Sequence, residues 1–239
     1  MSLVQRALLF GTAAAVGLAV LAVVGWWFFV REDAKLATGP PAIPTDLVDA
    51  TDEPPADGGD VLTFSIISEE SEAAYFVGEE LASLPLPSTA KGATTAIEGA
   101  FHLTAGGSAL APGMESQFTV DLTTLTSDED RRDSRVQAAL ETGLYPFATF
   151  TVTSVTGFDP AIPEGEEQAL QLAGTLDLHG VQREVVWEVE ARREGGVIAA
   201  LATVTFAFAD FQIAPPNIAG FVSVGDEATL QVQLIARAA

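Results

Sequence analysis

Cysteine is absent, which removes disulfides, thiolate catalysis, Cys-based metal sites and a lipidated N-terminal cysteine together. Basic side chains are scarce too. Eleven Lys and Arg stand against 33 Asp and Glu, a formal net charge of −22 over 239 residues. That balance excludes nucleic acid, whose phosphates need Lys and Arg to release counterions. It equally disfavours a tight electrostatic grip on anionic lipid headgroups, and reads first as a solvated, self-repelling surface. There are two histidines, His102 and His179, without the close spacing or the cysteines of a zinc site. No Gly-rich phosphate loop, nucleophile elbow or Ser/His/Asp spacing occurs. The acid pair Glu166 and Glu167 lies in a Pro- and Gly-bearing loop with nothing nearby to tune it. The chain therefore reads as a binding protein rather than an enzyme, with no catalytic residue and no metal ligand assigned.

What is present falls into three segments, 1–31, 32–59 and 60–239. Residues 7–30 carry no charge and lie between Arg6 and Arg31. At about 1.5 Å per residue this run spans the ~30 Å hydrocarbon core of a bilayer. It closes on Trp26, Trp27, Phe28 and Phe29, aromatics suited to a membrane interface and not to a signal-peptidase site. The expectation is an uncleaved, single transmembrane helix in the plasma membrane. Arg6 opposes Arg31 and Lys35, so the orientation rests on the long acidic remainder: N-terminus cytoplasmic, C-terminal domain extracytoplasmic. Across 32–59, Pro40, Pro41, Pro44, Pro54 and Pro55 alternate with acids and no apolar period survives. That composition predicts a disordered, extended linker.

From residue 60 onward the dominant signal is alternation. Phe118, Val120 and Leu122 flank Thr119 and Asp121; Val185, Trp187 and Val189 oppose Glu184, Glu188 and Glu190. Leu230, Val232 and Leu234 alternate with Gln231 and Gln233, while Leu170, Leu172, Leu176 and Leu178 share one parity with Gly174. Further candidate strands cover 61–67, 73–81, 95–103, 149–155 and 197–208. About nine half-buried antiparallel strands joined by short turns fit an all-β closed barrel or a sandwich. His179-Gly180 and Gly195-Gly196 supply hairpin turns. One segment breaks the pattern. Ser127 as N-cap with Asp130 three residues on, the stripe Val136, Ala139, Leu140 and Leu144, and Gly143 as a stop predict a helix over 128–142. The cluster Arg131, Arg132, Asp133 and Arg135 on that helix either pairs with the domain's acids or meets a ligand headgroup at a barrel mouth.

Several stretches, in order, resemble the signature of the YceI-like family. They are Thr126-Ser127-Asp128 through Arg132-Asp133, Leu140-Glu141-Thr142, Tyr145-Pro146, and Ala148-Thr149-Phe150. Gly174-Thr175-Leu176-Asp177-Leu178-His179-Gly180-Val181 is similar to that family's hairpin, with Asp177 where Thr is usual. Phe206, Asp210, Ile213 and the run from Gly220 to Glu227 match its close, and Tyr75, Gly78, Glu79 and 92–99 fit its opening strands more loosely. The resemblance implies a lipocalin-like antiparallel barrel with one inserted helix, holding an isoprenoid lipid of quinone (menaquinone) or polyprenyl type in an apolar lumen, with no covalent cofactor.

On that fold the expected lumen residues are Phe64, Tyr75, Phe101, Phe118 and Val120 in the first strands. Phe150, Leu172, Leu176 and Trp187 follow in the middle ones, and Ala202, Val204, Phe206, Leu230 and Val232 in the last. Arg131 and Arg132 are the candidate headgroup contacts. Small residues such as Ala200, Ala202 and Gly174 beside large ones leave a tapered slot or interdigitate into a solid core; the sequence permits both. An alternative role is a structural accessory subunit of an integral membrane complex, respiratory in kind by the family's cytochrome-joined relatives. A homodimer is compatible with either.

Overall fold

The structure is a computed structural model describing residues 34–49, 61–81, 84–104, 109–159, 161–215 and 222–238. Among these no helix is long and apolar enough to cross a membrane, and the span expected at 7–30 lies outside them.

Alternation becomes ten strands: β1 (Val61–Ile66), β2 (Glu72–Leu81), β3 (Leu84–Thr94), β4 (Ile97–Thr104), β5 (Gln117–Asp121), β6 (Phe147–Thr156), β7 (Glu167–Leu178), β8 (Val181–Glu194), β9 (Val197–Ala207) and β10 (Val222–Ala238). Their order is β1-β4-β5-β6-β7-β8-β9-β10-β2-β3, with β10 also pairing β1. Ile66 lies opposite Ala236 and Glu72 opposite Gln233, so β1 and β2 are two lengths of one path along β10. A 3-10 turn at Ser68–Glu70 separates them. β3 and β4 follow one another in the same way on the next position. Counted so, the sheet closes into an eight-stranded antiparallel barrel with one short inserted helix.

Period two fixes which side of each strand faces in. Phe118 stands opposite Phe150, Phe150 opposite Leu176, and Leu172 opposite Trp187. Leu230 stands between Val204 and Tyr75. One apolar parity therefore runs round the interior. The β7–β8 hairpin turns through His179 and Gly180, at φ 55° and 70°. Two successive positive φ angles define the tight turn that matches strand twist.

Five sequence expectations need correction. β3, which carries Pro85 and Pro87, lay outside the expected strands. Proline lacks a ladder donor and is tolerated where one strand edge is free, and β3 pairs in full only with β2. The helix is shorter than 128–142, spanning α2 (Asp130–Ala139), with Glu129 at its N-cap position. Ser127 does not cap it in the expected box with Asp130. Instead its backbone N and its Oγ both donate to Asp133 Oδ1, at 2.8 and 2.6 Å. The left-handed residue after the helix is Glu141, at φ 47°, and not Gly143. Leu144 leaves the packed stripe and is 73% exposed, whereas Val136 and Leu140 do pack on the barrel core.

Part of the segment read as a disordered linker is seated on the barrel. Residues 34–49, ending in α1 (Thr45–Asp49), lie on the outer face of β9 and β10. Gln231 Oε1 accepts from Ala37 N at 2.8 Å and Gln231 Nε2 donates to Ala37 O at 3.1 Å. Arg192 Nη2 donates to Pro41 O at 3.3 Å. Ile43 and Leu47 cover Val197, Ala199 and Ile235, outward-facing residues that would otherwise meet water. Burying that patch and satisfying a buried glutamine offset the ordering of the strap.

Candidate functional site: the barrel lumen

The interior has two unlike walls. Along one side runs an aromatic belt contributed by successive strands. Phe64 stacks on Phe101 with centroids 5.1 Å apart and planes 10° from parallel. Phe101 meets Phe118 at 6.3 Å, and Phe150 meets Trp187 at 5.8 Å, both tilted. Phe150 sits on β6 and Trp187 on β8, with β7 between them. They touch across it because the intervening inward position is Gly174. A Cβ there would lie 2.8 Å from the Phe150 ring and 2.2 Å from Thr151 O. Across the bore, β9 and β10 present Ala200, Ala202, Val204, Ala228, Leu230 and Val232, all in the main core cluster or packed on it. Large rings thus face small and aliphatic side chains.

Residue by residue, the expected lumen set assembles as parity requires. Phe64, Phe150, Leu176, Trp187, Val204 and Phe206 are buried. Tyr75, Phe101, Phe118, Val120, Leu172, Ala202, Leu230 and Val232 share the inward face but stay only half-buried. The expected lumen set omitted Val77 and Val152, and also Val189 and Ala200, which the sequence had placed on apolar faces; all four are inward by the same parity and buried in the same cluster. No charged side chain is buried among the described residues. In a closed barrel, half-buried inward side chains at mid-strand mark space not filled by other side chains. Such surface is apolar, and its removal from water by a ligand is favourable at about 25 cal/mol per Å².

The end of the barrel that bears α2 is polar. Arg132 reaches across to β2, with Nε and Nη2 each 3.3 Å from the Glu79 carboxylate, and also pairs with Asp128. Burial works against the charge of Arg132, but the hydrogen bonds and charges of Glu79 and Asp128 outweigh it and raise its pKa above the ordinary value. Arg132 therefore pins the helix to the barrel, as one sequence reading expected. Arg131, the other candidate headgroup contact, is exposed, as is Arg135. Beneath this cluster lies Tyr75, whose ring fills the place a side chain at Gly92 would take: a Cβ there would be 2.3 Å from it. Burial, the largest influence, lifts the Tyr75 phenol from 10.0 to about 12. His179 ties the hairpin to its neighbours, with Nδ1 3.1 Å from Phe211 O and Nε2 3.2 Å from Glu141 Oε2. His102 rests against Thr63 Oγ1 at 2.9 Å. His179 stands in the hairpin turn that the sequence predicts. Among the described residues no group of three or more His, Cys, Asp or Glu is placed to hold a metal ion.

Comparison with known proteins fits this architecture. Among solved structures, a polyisoprenoid binding domain from Saccharophagus degradans, implicated in plant cell wall breakdown, superposes with a TM-score of 0.57 at 20% identity, covering 74% of this chain and 99% of the other. BcnA of Burkholderia cenocepacia superposes with a TM-score of 0.53 at 16% identity, covering 71% and 98%. At such identities the likeness concerns the fold. No curated protein matches. The model of the YceI-like domain matches residues 65–236, most of the chain and nearly all of the barrel. The chain belongs to the YceI-like domain family.

Proposed function

We propose that this protein binds an apolar isoprenoid-type lipid, of quinone or polyprenyl kind, along the lumen of its barrel, and that it binds without catalysis. One observation carries the reading: Leu172, Ala202, Leu230 and Val232 face a closed interior yet keep part of their surface accessible. A prenyl chain laid between the aromatic belt and the aliphatic wall would cover that surface. Each buried CH₂ contributes about 0.8 kcal/mol before ordering costs, so several isoprene units suffice without a charged anchor. The polyisoprenoid binding of the Saccharophagus domain supports the same ligand class. In this proposal the uncharged run 7–30 tethers the chain to the plasma membrane, with the barrel on the extracytoplasmic side, where such lipids are at hand. Purification of the full chain from its native membrane, followed by mass spectrometry of the bound lipid, tests the reading. One isoprenoid per barrel is expected; protein that is repeatedly empty refutes it.

A second reading, an accessory subunit of a membrane complex, is favoured by one feature of the surface. Leu144 is 73% exposed and Phe147 54% exposed, three residues apart in the segment leading from α2 into β6. Large apolar side chains held in water suit a protein contact. Pull-down through a C-terminal tag in mild detergent distinguishes the two: recovery of monomer alone removes the subunit role and leaves lipid binding standing.

A further inference from the structure

The two ends of the barrel are closed unequally. At the end that bears α2, Leu122, Leu125, Phe211 and Ile213 are buried in the main core cluster. The 3-10 turn Phe208–Phe211 lies against β8, β9 and β10 there, and Val136 and Leu140 of α2 add to the seal. The opposite end carries the β4–β5 and β6–β7 connections and the β8–β9 hairpin. Among the described residues of those connections, Leu110 alone packs on the main core cluster. Inward burial follows the same gradient along single strands. On β7, Leu178 and Leu176 are buried, while Leu172 and Leu170, nearer the far end, are half-buried. On β10, Ala228 is buried, and Leu230 and Val232 beyond it are half-buried. On β6, buried Phe150 and Val152 give way to half-buried Val155. A bore stopped at one end is entered from the other.

That far end also holds large apolar side chains in water. Met114, in the β4–β5 connection, is 44% exposed, and Phe158, in the β6–β7 connection, is 37% exposed. Apolar side chains on a rim that is otherwise polar mark a contact surface. Every charged residue of the three connections is an acid: Glu115, Asp159, Glu164 and Glu166. Like charge sets that rim against a layer of anionic headgroups and leaves a zwitterionic layer open to it. Resting on the lipid-binding reading, we infer that the barrel fills through the end away from α2, and that Met114 and Phe158 seat this mouth on a lipid surface of zwitterionic headgroups. An apolar molecule then passes from acyl chains into the bore without crossing water, the step that its hydration opposes. Arg132, pinned between Glu79 and Asp128, belongs to the stopper and not to the mouth.

The chain contains no cysteine, so Met114→Cys, Phe158→Cys and Leu144→Cys each give the full chain a single attachment site. Leu144, just after α2 and 73% exposed, serves as the control. Each variant is labelled with a nitrobenzoxadiazole fluorophore and mixed with phosphatidylcholine vesicles that contain a lipid spin-labelled near its headgroup. Labels at 114 and 158 are expected to shift to the blue and lose intensity to the spin label, while the label at 144 keeps both. Adding phosphatidylglycerol to the vesicles weakens the effect. In a second arm the same sites carry a polyethylene glycol chain, and loading of geranylgeraniol is counted per chain by native mass spectrometry. The chains at 114 and 158 are expected to slow loading about tenfold, with the final occupancy unchanged, and the one at 144 to leave the rate as it was. Quenching absent at 114 and 158, quenching strengthened by phosphatidylglycerol, or loading slowed only from 144 or from none of the sites overturns the assignment of the mouth while leaving lipid binding intact. An unlabelled chain that takes up no geranylgeraniol overturns both.

Discussion

Gly174 sets how closely Phe150 and Trp187 approach, since any side chain at 174 would enter the Phe150 ring and the Thr151 carbonyl. Gly174→Val should destabilise the barrel by about 1–3 kcal/mol, the usual range for overpacking, read as a lower midpoint in denaturant. Tyr75 makes a second prediction. Its phenol is lifted from 10.0 to about 12, so the folded chain holds that proton more tightly than the unfolded one. Stability present below pH 10 should therefore be lost as the pH rises through about 12. In Tyr145→Phe, which leaves Tyr75 as the lone tyrosine, the native tyrosinate absorbance should appear near pH 12, and near pH 10 in denaturant. A native curve that coincides with the denatured one contradicts the burial assigned to Tyr75. At this scale the inward parity of Phe118, Leu172 or Val232 was legible in the sequence, because period two needs only neighbours in the chain. The bonding of Arg132 was not, because it depends on Glu79, a residue of another strand brought close by closure of the barrel.

Among elements, the strap over residues 34–49 shows where composition misleads. Its prolines and acids read as linker, yet Ile43, Leu47 and the backbone of Ala37 and Pro41 seat it on the barrel's outer wall, which offers Val197, Ala199, Ile235, Arg192 and a buried Gln231. The receiving surface lies far downstream in sequence, with Gln231 194 residues beyond Ala37. Gln231→Ala removes both hydrogen bonds to Ala37. Amide exchange across residues 34–49 should accelerate about tenfold or more, while the strands of the barrel keep their protection. Unchanged exchange in the strap would contradict the part assigned to Gln231 in holding it. β3 was hidden for a different reason: with Pro85 and Pro87 it has no continuous ladder pattern, and its place is set by β2 and by the free edge it leaves. Helix α2 was legible in its acidic start and its Val136–Leu140 stripe, but not in its ends, which Asp133 fixes by bonding back to Ser127 and Glu141 by its left-handed backbone.

For the whole molecule, a barrel of eight strands stands at the size where side chains either fill the bore or leave room for one ligand. Aromatic residues on one wall and alanine, valine and leucine on the other favour room. Ala202→Trp should close the slot. It is expected to abolish lipid uptake while the far-ultraviolet circular dichroism stays that of a β-barrel; uptake at the wild-type level would place the ligand elsewhere. The charge of −22 then has a consistent part, keeping a greasy-cored protein soluble on its outside while its apolar surface turns inward. The claim on which all of this depends is an apolar bore left partly open, and the most direct measurement is an experimental structure at side-chain resolution of the full chain taken from its native membrane. The account predicts elongated density between the aromatic belt and the wall of β9 and β10. Side chains meeting across the bore from one end to the other, with no such density, would contradict it.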